Sequence, residues 1–320
     1  MEKQTHEGEE RRMRTLIVGA DSLLGRYMFD FLSGKEAGTV FPVASSDKHV
    51  DALESVMVED EDAVRSLIER TAPDRIFYFT DQESISYAWE YPDKVVDAQI
   101  KGSLNLLEAV RKERLQSRLV LVGSGDEYGR IGFDEVPVKE THPLLPTSVY
   151  SVAKIGQEMM TQLYHKTYGL DVVIARSFNE IAPGQADRYA VSGFCRQVAE
   201  LERDRSKNKL FVGNLNVRRA FIDARDVVRA LYLLAENGIA GDLYNVGRSN
   251  SISVREVLEL ILSMTDIRPE IVSAKDKVRQ IDIPVLEADC SKLKSLVDWE
   301  PQYDLKTTIH EMLEYWRDNV

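Results

Sequence analysis

Short apolar runs rich in β-branched and aromatic residues alternate with segments of helical period through the first half of the chain. No other feature constrains the fold as much. The runs are "TLIV", "TVFPV", "RIFYF", "RLVLVG" and "DVVIARS"; between them lie "EDAVRSLIERTAP", "DKVVDAQIKGSLNLLEAV" and "YSVAKIGQEMMTQLYHKTYG". Continuous apolar runs read as strands buried on both faces, and apolar residues three and four apart read as amphipathic helices. Their alternation predicts successive βαβ units, hence a doubly wound parallel sheet with helices on both faces. From about Asn179 the irregular stretches lengthen and helices such as "DVVRALYLLAEN" and "VREVLELILSM" stand between them. Residues 13–178 therefore read as one domain and 179–320 mainly as a smaller C-terminal α/β lobe, with a later strand and helix returned to the first domain. The charged stretch "MEKQTHEGEERR", residues 1–12, reads as a disordered extension.

In such a sheet, ligands bind beyond the carboxyl ends of the strands, so polar and glycine residues directly after strands are the first candidates. The stretch "TLIVGADSLLGRY" runs strand, glycine, short loop, helix, the local context of a Rossmann-type dinucleotide turn. Gly19 and Gly25 take the two steric positions, tight turn and close helix packing. Ser22 stands where the backbone approaches a pyrophosphate, and its hydroxyl could donate to a phosphate oxygen. Leu23 and Leu24 open the helix, whose N-terminal amides suit an anion. Glycines that merely end a strand and pack a helix would give the same local pattern.

A second strand end, "GSGDEYG", presents Ser124, and 26 residues later "YSVAK" sets Tyr150 and Lys154 four apart on one helical face. A turn that needs small residues and a chance Tyr–Lys spacing are the structural alternatives. Together the three make a carbonyl-chemistry constellation. A phenol titrates near ~10, and an adjacent ammonium lowers that value, so Lys154 would tune Tyr150 while Ser124 holds the substrate oxygen.

A formal net charge of −12 over 320 residues argues against a nucleic-acid or anionic-membrane binder. An anionic ligand must then be met by a few local Arg or Lys side chains. Two cysteines, Cys195 and Cys290, offer neither a disulfide framework nor a metal site. The N-terminal residues do not form a signal peptide, and no apolar run is long enough to cross a bilayer, so the expected setting is the cytoplasm.

With these motifs in place, the chain from Met13 onward resembles the extended short-chain dehydrogenase/reductase family. "RSFNEIAPGQ", "VGNLNVRRAFIDARDVVRAL" and "VRQIDIPVLEADCSKL" are similar to segments of its GDP-mannose branch. The resemblance implies Ser124, Tyr150 and Lys154 as the catalytic triad. It implies Gly19, Ser22, Leu23, Leu24, Gly25, Phe79, Lys154 and Ser177 at the cofactor, and Ser84, Asp126, Asn179, Arg219 and Arg279 at the substrate. The cofactor implied is NADP, with NAD possible; the end of the second strand lacks the immediate acid that would select NAD, and Lys48 is the only cation near it. The implied reaction is NAD(P)H-dependent reduction of the C4 keto group of a GDP-4-keto-6-deoxyhexose to a GDP-6-deoxyhexose such as GDP-rhamnose. A 4,6-dehydratase, a 4-epimerase and a non-catalytic nucleotide-sugar binder stay open. The sequence departs from the family pattern at Ser22, Met57, Tyr78 to Gln82, and Gln280. The resemblance also implies a homodimer in which "DKVVDAQIKGSLNLLEAV" and the helix from Tyr150 meet their symmetry mates through Val95, Leu106, Leu107, Met159 and Leu163. Arg218 and Arg229 read instead as a solvated charged face pairing with Asp223 and Asp226.

Overall fold

The apolar runs of the first half become neighbouring strands in a computed structural model that describes residues 12–35, 38–45, 53–79, 85–274 and 281–320. Strands β1 (Arg14–Val18), β2 (Thr39–Ala44), β3 (Glu54–Ser55), β4 (Arg75–Tyr78), β5 (Arg118–Ser124), β6 (Val172–Ser177) and β7 (Leu243–Val246) form one sheet in the order β7-β6-β5-β4-β1-β2-β3. Every pairing in it is parallel. Helices α1 (Leu23–Ser33), α2 (Glu61–Thr71), α3 (Gly102–Lys112) and α4 (Val149–Tyr168) lie between the strands. Helices α5 (Ala190–Arg203), α6 (Ala224–Asn237), α7 (Val254–Leu262) and α8 (Leu305–Asn319) follow.

Register explains why both faces are apolar. Ile17, Phe77, Val120 and Val173 are successive cross-strand partners on one face. They join Leu24 and Met28 of α1 and Val227 and Leu231 of α6 in one core. One residue earlier on each strand, Leu16, Ile76, Leu119 and Val172 face the other way, onto Leu67 and Ile68 of α2 and Leu106 and Leu107 of α3. Each such side chain contributes about 1.5–3 kcal/mol through burial. A third core, in the C-terminal lobe, packs Phe194, Val257 and Met312 from α5, α7 and α8. The strand order reverses between β1 and β4, which opens the crevice where this architecture binds ligands.

One expectation changes here. Val95, Leu106 and Leu107 are buried within their own chain and are not free for a dimer, whereas Met159 and Leu163 are 63% and 59% exposed. Val152 joins them on the same exposed face of α4. Helical period alone could not say which apolar face the sheet takes. No helix among the described residues is long and apolar enough to cross a membrane, and Cys195 and Cys290 are both buried free thiols. Residues 1–11 of the expected extension lie outside the described residues.

Candidate active site

Ser124 ends β5 because the chain turns there into a tight helical turn, Gly125–Tyr128, which it caps. Its Oγ accepts the Asp126 amide at 3.2 Å, while its own amide donates to Glu127 Oε1 at 2.6 Å. Tyr150 and Lys154 stand one turn apart on α4, which Ser148 caps by accepting the Ser151 amide. Ser124, Asp126, Tyr150, Ser177, Asn179 and Arg219 line one cavity of about 420 Å³. Lys154 lies behind it, 1% exposed, its Nζ donating to Val122 O at 2.9 Å and Gln157 Oε1 at 3.3 Å. That ammonium is 6.0 Å from the Tyr150 ring centroid.

The electrostatics correct the expected tuning of Tyr150. Burial, followed by the Asp126 and Glu180 carboxylates, pushes the phenol well above its ordinary range, and the Ser124 hydroxyl opposes this by hydrogen bonding. Lys154 itself is pushed down to about 8 by burial, against the pull of Glu127 and Glu180. Sequence spacing showed the cation beside the phenol but neither the depth of burial nor the approach of the acids that follow β5 and β6.

At the β1–α1 turn, sterics dominate. Gly19 has φ +82°, and a Cβ there would stand 1.8 Å from Phe79 O; one on Gly25 would stand 2.0 Å from Gly19 O. Both positions need glycine. Ser22 behaves differently from the expectation: its hydroxyl donates to Gly19 O at 2.7 Å and accepts the Gly25 amide at 3.1 Å, capping α1 and tying the turn to itself. Leu23 and Leu24 place their amides in the first turn of α1, where a helix leaves donors over. The side chains of Leu24 and Phe79 are buried in the core, so these residues can offer only backbone to a ligand. A glycine cradle against a helix start is a fit for the diphosphate of a nicotinamide dinucleotide.

The structure also supplies an acid that the β2 sequence lacks. Asp21, from the glycine turn, reaches the end of β2 and accepts the Ser45 amide at 3.0 Å. Lys48, Ser84, Arg279 and Gln280, with Thr80 to Gln82, lie outside the described residues. Arg26 and Tyr27 of α1 donate to the carbonyls of Gly184 and Pro183 at 2.8 and 3.1 Å, so the turn is bolted to the segment that follows Asn179.

Among the substrate candidates, Arg219 is buried. Its Nη1 donates to Arg218 O and Ile283 O, both at 2.8 Å, and its Nη2 lies 3.3 Å from Asp282. Asn179 has φ +47° and a buried Nδ2 with no hydrogen-bond partner among the described residues. Ser177 donates to Glu180 Oε2 at 3.0 Å. Arg229 pairs with Asp226 as expected, but Arg218 pairs with Glu256, and the expected solvated face is not formed, since Asp223, held by Arg225, and Asp226 are both buried. Glu180, Arg188 and Asp282 also line the cavity and were missed; Glu180, one residue beyond Asn179, and Asp282, three beyond Arg279, stand in quoted motifs, whereas Arg188 left no signal in the sequence.

The profile of the family described as GDP-mannose 4,6 dehydratase matches residues 16–312. GDP-6-deoxy-D-mannose reductase of Pseudomonas aeruginosa is 26% identical over 307 residues, covering 96% of this chain and 98% of that protein. GDP-mannose 4,6 dehydratase 2 of Arabidopsis thaliana is 26% identical over 326 residues, covering 95% and 87%. Among solved structures, RMD from Pseudomonas aeruginosa complexed with NADPH superposes with a TM-score of 0.83 at 26% identity, covering 96% of this chain and all of that one.

Proposed function

Because the chain belongs to the GDP-mannose 4,6-dehydratase family, we propose that it reduces the C4 keto group of a GDP-4-keto-6-deoxyhexose to a GDP-6-deoxyhexose such as GDP-rhamnose. The observation that carries this is geometric: Ser124 and the Tyr150 phenol face one cavity together with Asn179 and Arg219, with Lys154 buried behind them. A ketone reduction needs a proton delivered to oxygen, whereas a dehydratase or epimerase cycle opens by removing one. Asp126 also stands where the family's dehydratases use a glutamate, one methylene short of that reach.

The cofactor is a reduced nicotinamide dinucleotide, NADPH as in the RMD complex, which when bound supplies the hydride. Gly19, Gly25 and the first-turn amides of Leu23 and Leu24 hold its diphosphate. Ser124 hydrogen-bonds the C4 oxygen, Tyr150 gives it a proton, and Lys154 supports the developing phenolate from behind. Arg219 and Arg279 meet the diphosphate of the GDP sugar, while Asn179, with its unpartnered amide, and Ser84 serve the neighbouring groups. The exposed stripe of Val152, Met159 and Leu163 on α4 supports a homodimer closed through that helix.

The decisive experiment follows nicotinamide absorbance with GDP-4-keto-6-deoxy-mannose as substrate. One NADPH or NADH is consumed per product. Conversion of GDP-mannose without net consumption of nicotinamide would overturn the reductase reading.

A further inference from the structure

Behind the proposed active site, Lys154 is held from two elements at once. Its Nζ donates to Val122 O on β5 at 2.9 Å and to Gln157 Oε1, one turn further along α4, at 3.3 Å. Gln157 is itself buried, and its Nε2 donates in turn to Gln99 O at 3.3 Å. Gln99 belongs to a single π turn, Asp97–Lys101, that leads into α3, a local widening of a helix that is frequent at functional sites. The same carbonyl accepts the Ser103 hydroxyl at 2.5 Å, so it meets two side-chain donors. The π turn comes this near α4 because Gly156, the residue before Gln157, carries no side chain: a Cβ there would stand 3.0 Å from Ile100 Cδ1.

We infer that Gln157 is a positioning residue for the reaction: its carboxamide spans from the Gln99 carbonyl to the Lys154 ammonium and fixes that ammonium behind Tyr150. The chemistry allows one orientation of the carboxamide. An ammonium only donates and a backbone carbonyl only accepts, so the oxygen faces Lys154 and the NH2 faces Gln99. A lysine head on its flexible four-carbon stem needs fixing if it is to stay behind one phenol. Acceptors from β5 and α4 take two of its three N–H directions, and the anchor on the π turn keeps the second acceptor from swinging away. Few side chains make both contacts: asparagine falls one methylene short, and an ionised glutamate sets an oxygen against Gln99 O. The titratable groups facing Lys154 are Tyr150 from α4, Glu127 after β5 and Glu180 after β6. To these Gln157 adds an uncharged acceptor in direct contact, which favours the ammonium form.

The proposal rests on the reductase reading for the reaction that Lys154 serves, and the test keeps the two apart. Gln157→Met keeps the length and removes both contacts; Gln157→Glu keeps the acceptor, adds a charge and gives up the donor to Gln99. Lys154 is titrated by carbon NMR on lysine labelled at the ε-carbon, its resonance assigned by its loss in Lys154→Met. In Gln157→Met the Lys154 midpoint falls by about one pH unit, and the basic limb of kcat moves down with it. At the optimum kcat falls about tenfold, while KM for the GDP sugar stays within about two-fold. In Gln157→Glu the midpoint rises by about one unit instead, because a carboxylate beside an ammonium favours the charged form, and kcat still falls several-fold because the anchor on Gln99 is lost. A glutamine that only filled space would give neither the opposite shifts nor a change confined to kcat. An unmoved midpoint in Gln157→Met, or shifts of the same sign in both variants, overturns the contact, and unchanged kcat overturns the positioning role. If Gln157→Met fails to fold, the Glu variant decides by the same measurements. Midpoints that move as stated in a protein inactive on GDP-keto sugars uphold the contact and remove the reductase reading instead.

Discussion

The two ends of the cleft hold their geometry by different means. At the β1–α1 turn, backbone meets backbone: Gly19 and Gly25 leave no room for a Cβ. At the β5–α4 corner, position comes from buried side chains, with Lys154, Glu127, Arg176 and Glu158 gripping a strand end. The contrast teaches where substitution is tolerated. The turn accepts Ser22 in place of a glycine because the hydroxyl folds back onto Gly19 O. The corner has no comparable slack, since removing any one of its charges leaves another buried without its partner.

The largest expected effect tests the steric end. Gly19→Ala must move Phe79 O and strain a left-handed backbone, costing about 3 kcal/mol or more in urea unfolding. A variant of wild-type stability that still binds nicotinamide would break the contrast. At the other end, Tyr150→Phe removes the proton donor and should cut kcat about 10²-fold while leaving substrate affinity nearly intact. A loss in KM alone would mean that the phenol only binds. Arg219→Ala should weaken GDP-sugar binding by about 1.5–3 kcal/mol, read by calorimetry, with kcat at saturation little changed. Unchanged affinity would show that its bonds to Arg218 O, Ile283 O and Asp282 are its whole role. The smallest effect sharpens the reading of the turn: Ser22→Ala should cost about 1 kcal/mol as a lost helix cap. Fluorescence titration with NADPH and NADH should then show little change, and a large loss of affinity would restore the phosphate contact to Ser22.

How much of this was legible in the sequence follows the same division. Alternating runs pointed to a parallel sheet containing β1, β4, β5 and β6, since continuous apolar strands fit only a sheet covered on both faces. Strand ends and a four-residue spacing brought Ser124, Tyr150 and Lys154 to one place. What stayed hidden depended on contacts between distant residues. Asp21 at the end of β2, Arg176 against Glu127, and Asp282 beside Arg219 are close in space and remote or unpatterned in sequence. The direction in which Tyr150 is shifted depends on how much water reaches it, which spacing does not encode. The face of α4 left open, carrying Met159 and Leu163, could be told from the buried one only once the sheet had claimed its own.

The return of β7 and α6 to the first-half core has a consequence for synthesis on the ribosome. When residue 178 has just emerged, β6 still has an open edge, and the apolar side of α1 has no Val227 or Leu231 to rest on. A nascent chain of that length displays an unfinished sheet with a free parallel strand, the kind of surface that chaperones shield and other chains can capture. The sheet closes only after Val246 has left the tunnel, so the two halves must reach the native state together, and a slow stretch of translation before that point lengthens the exposure.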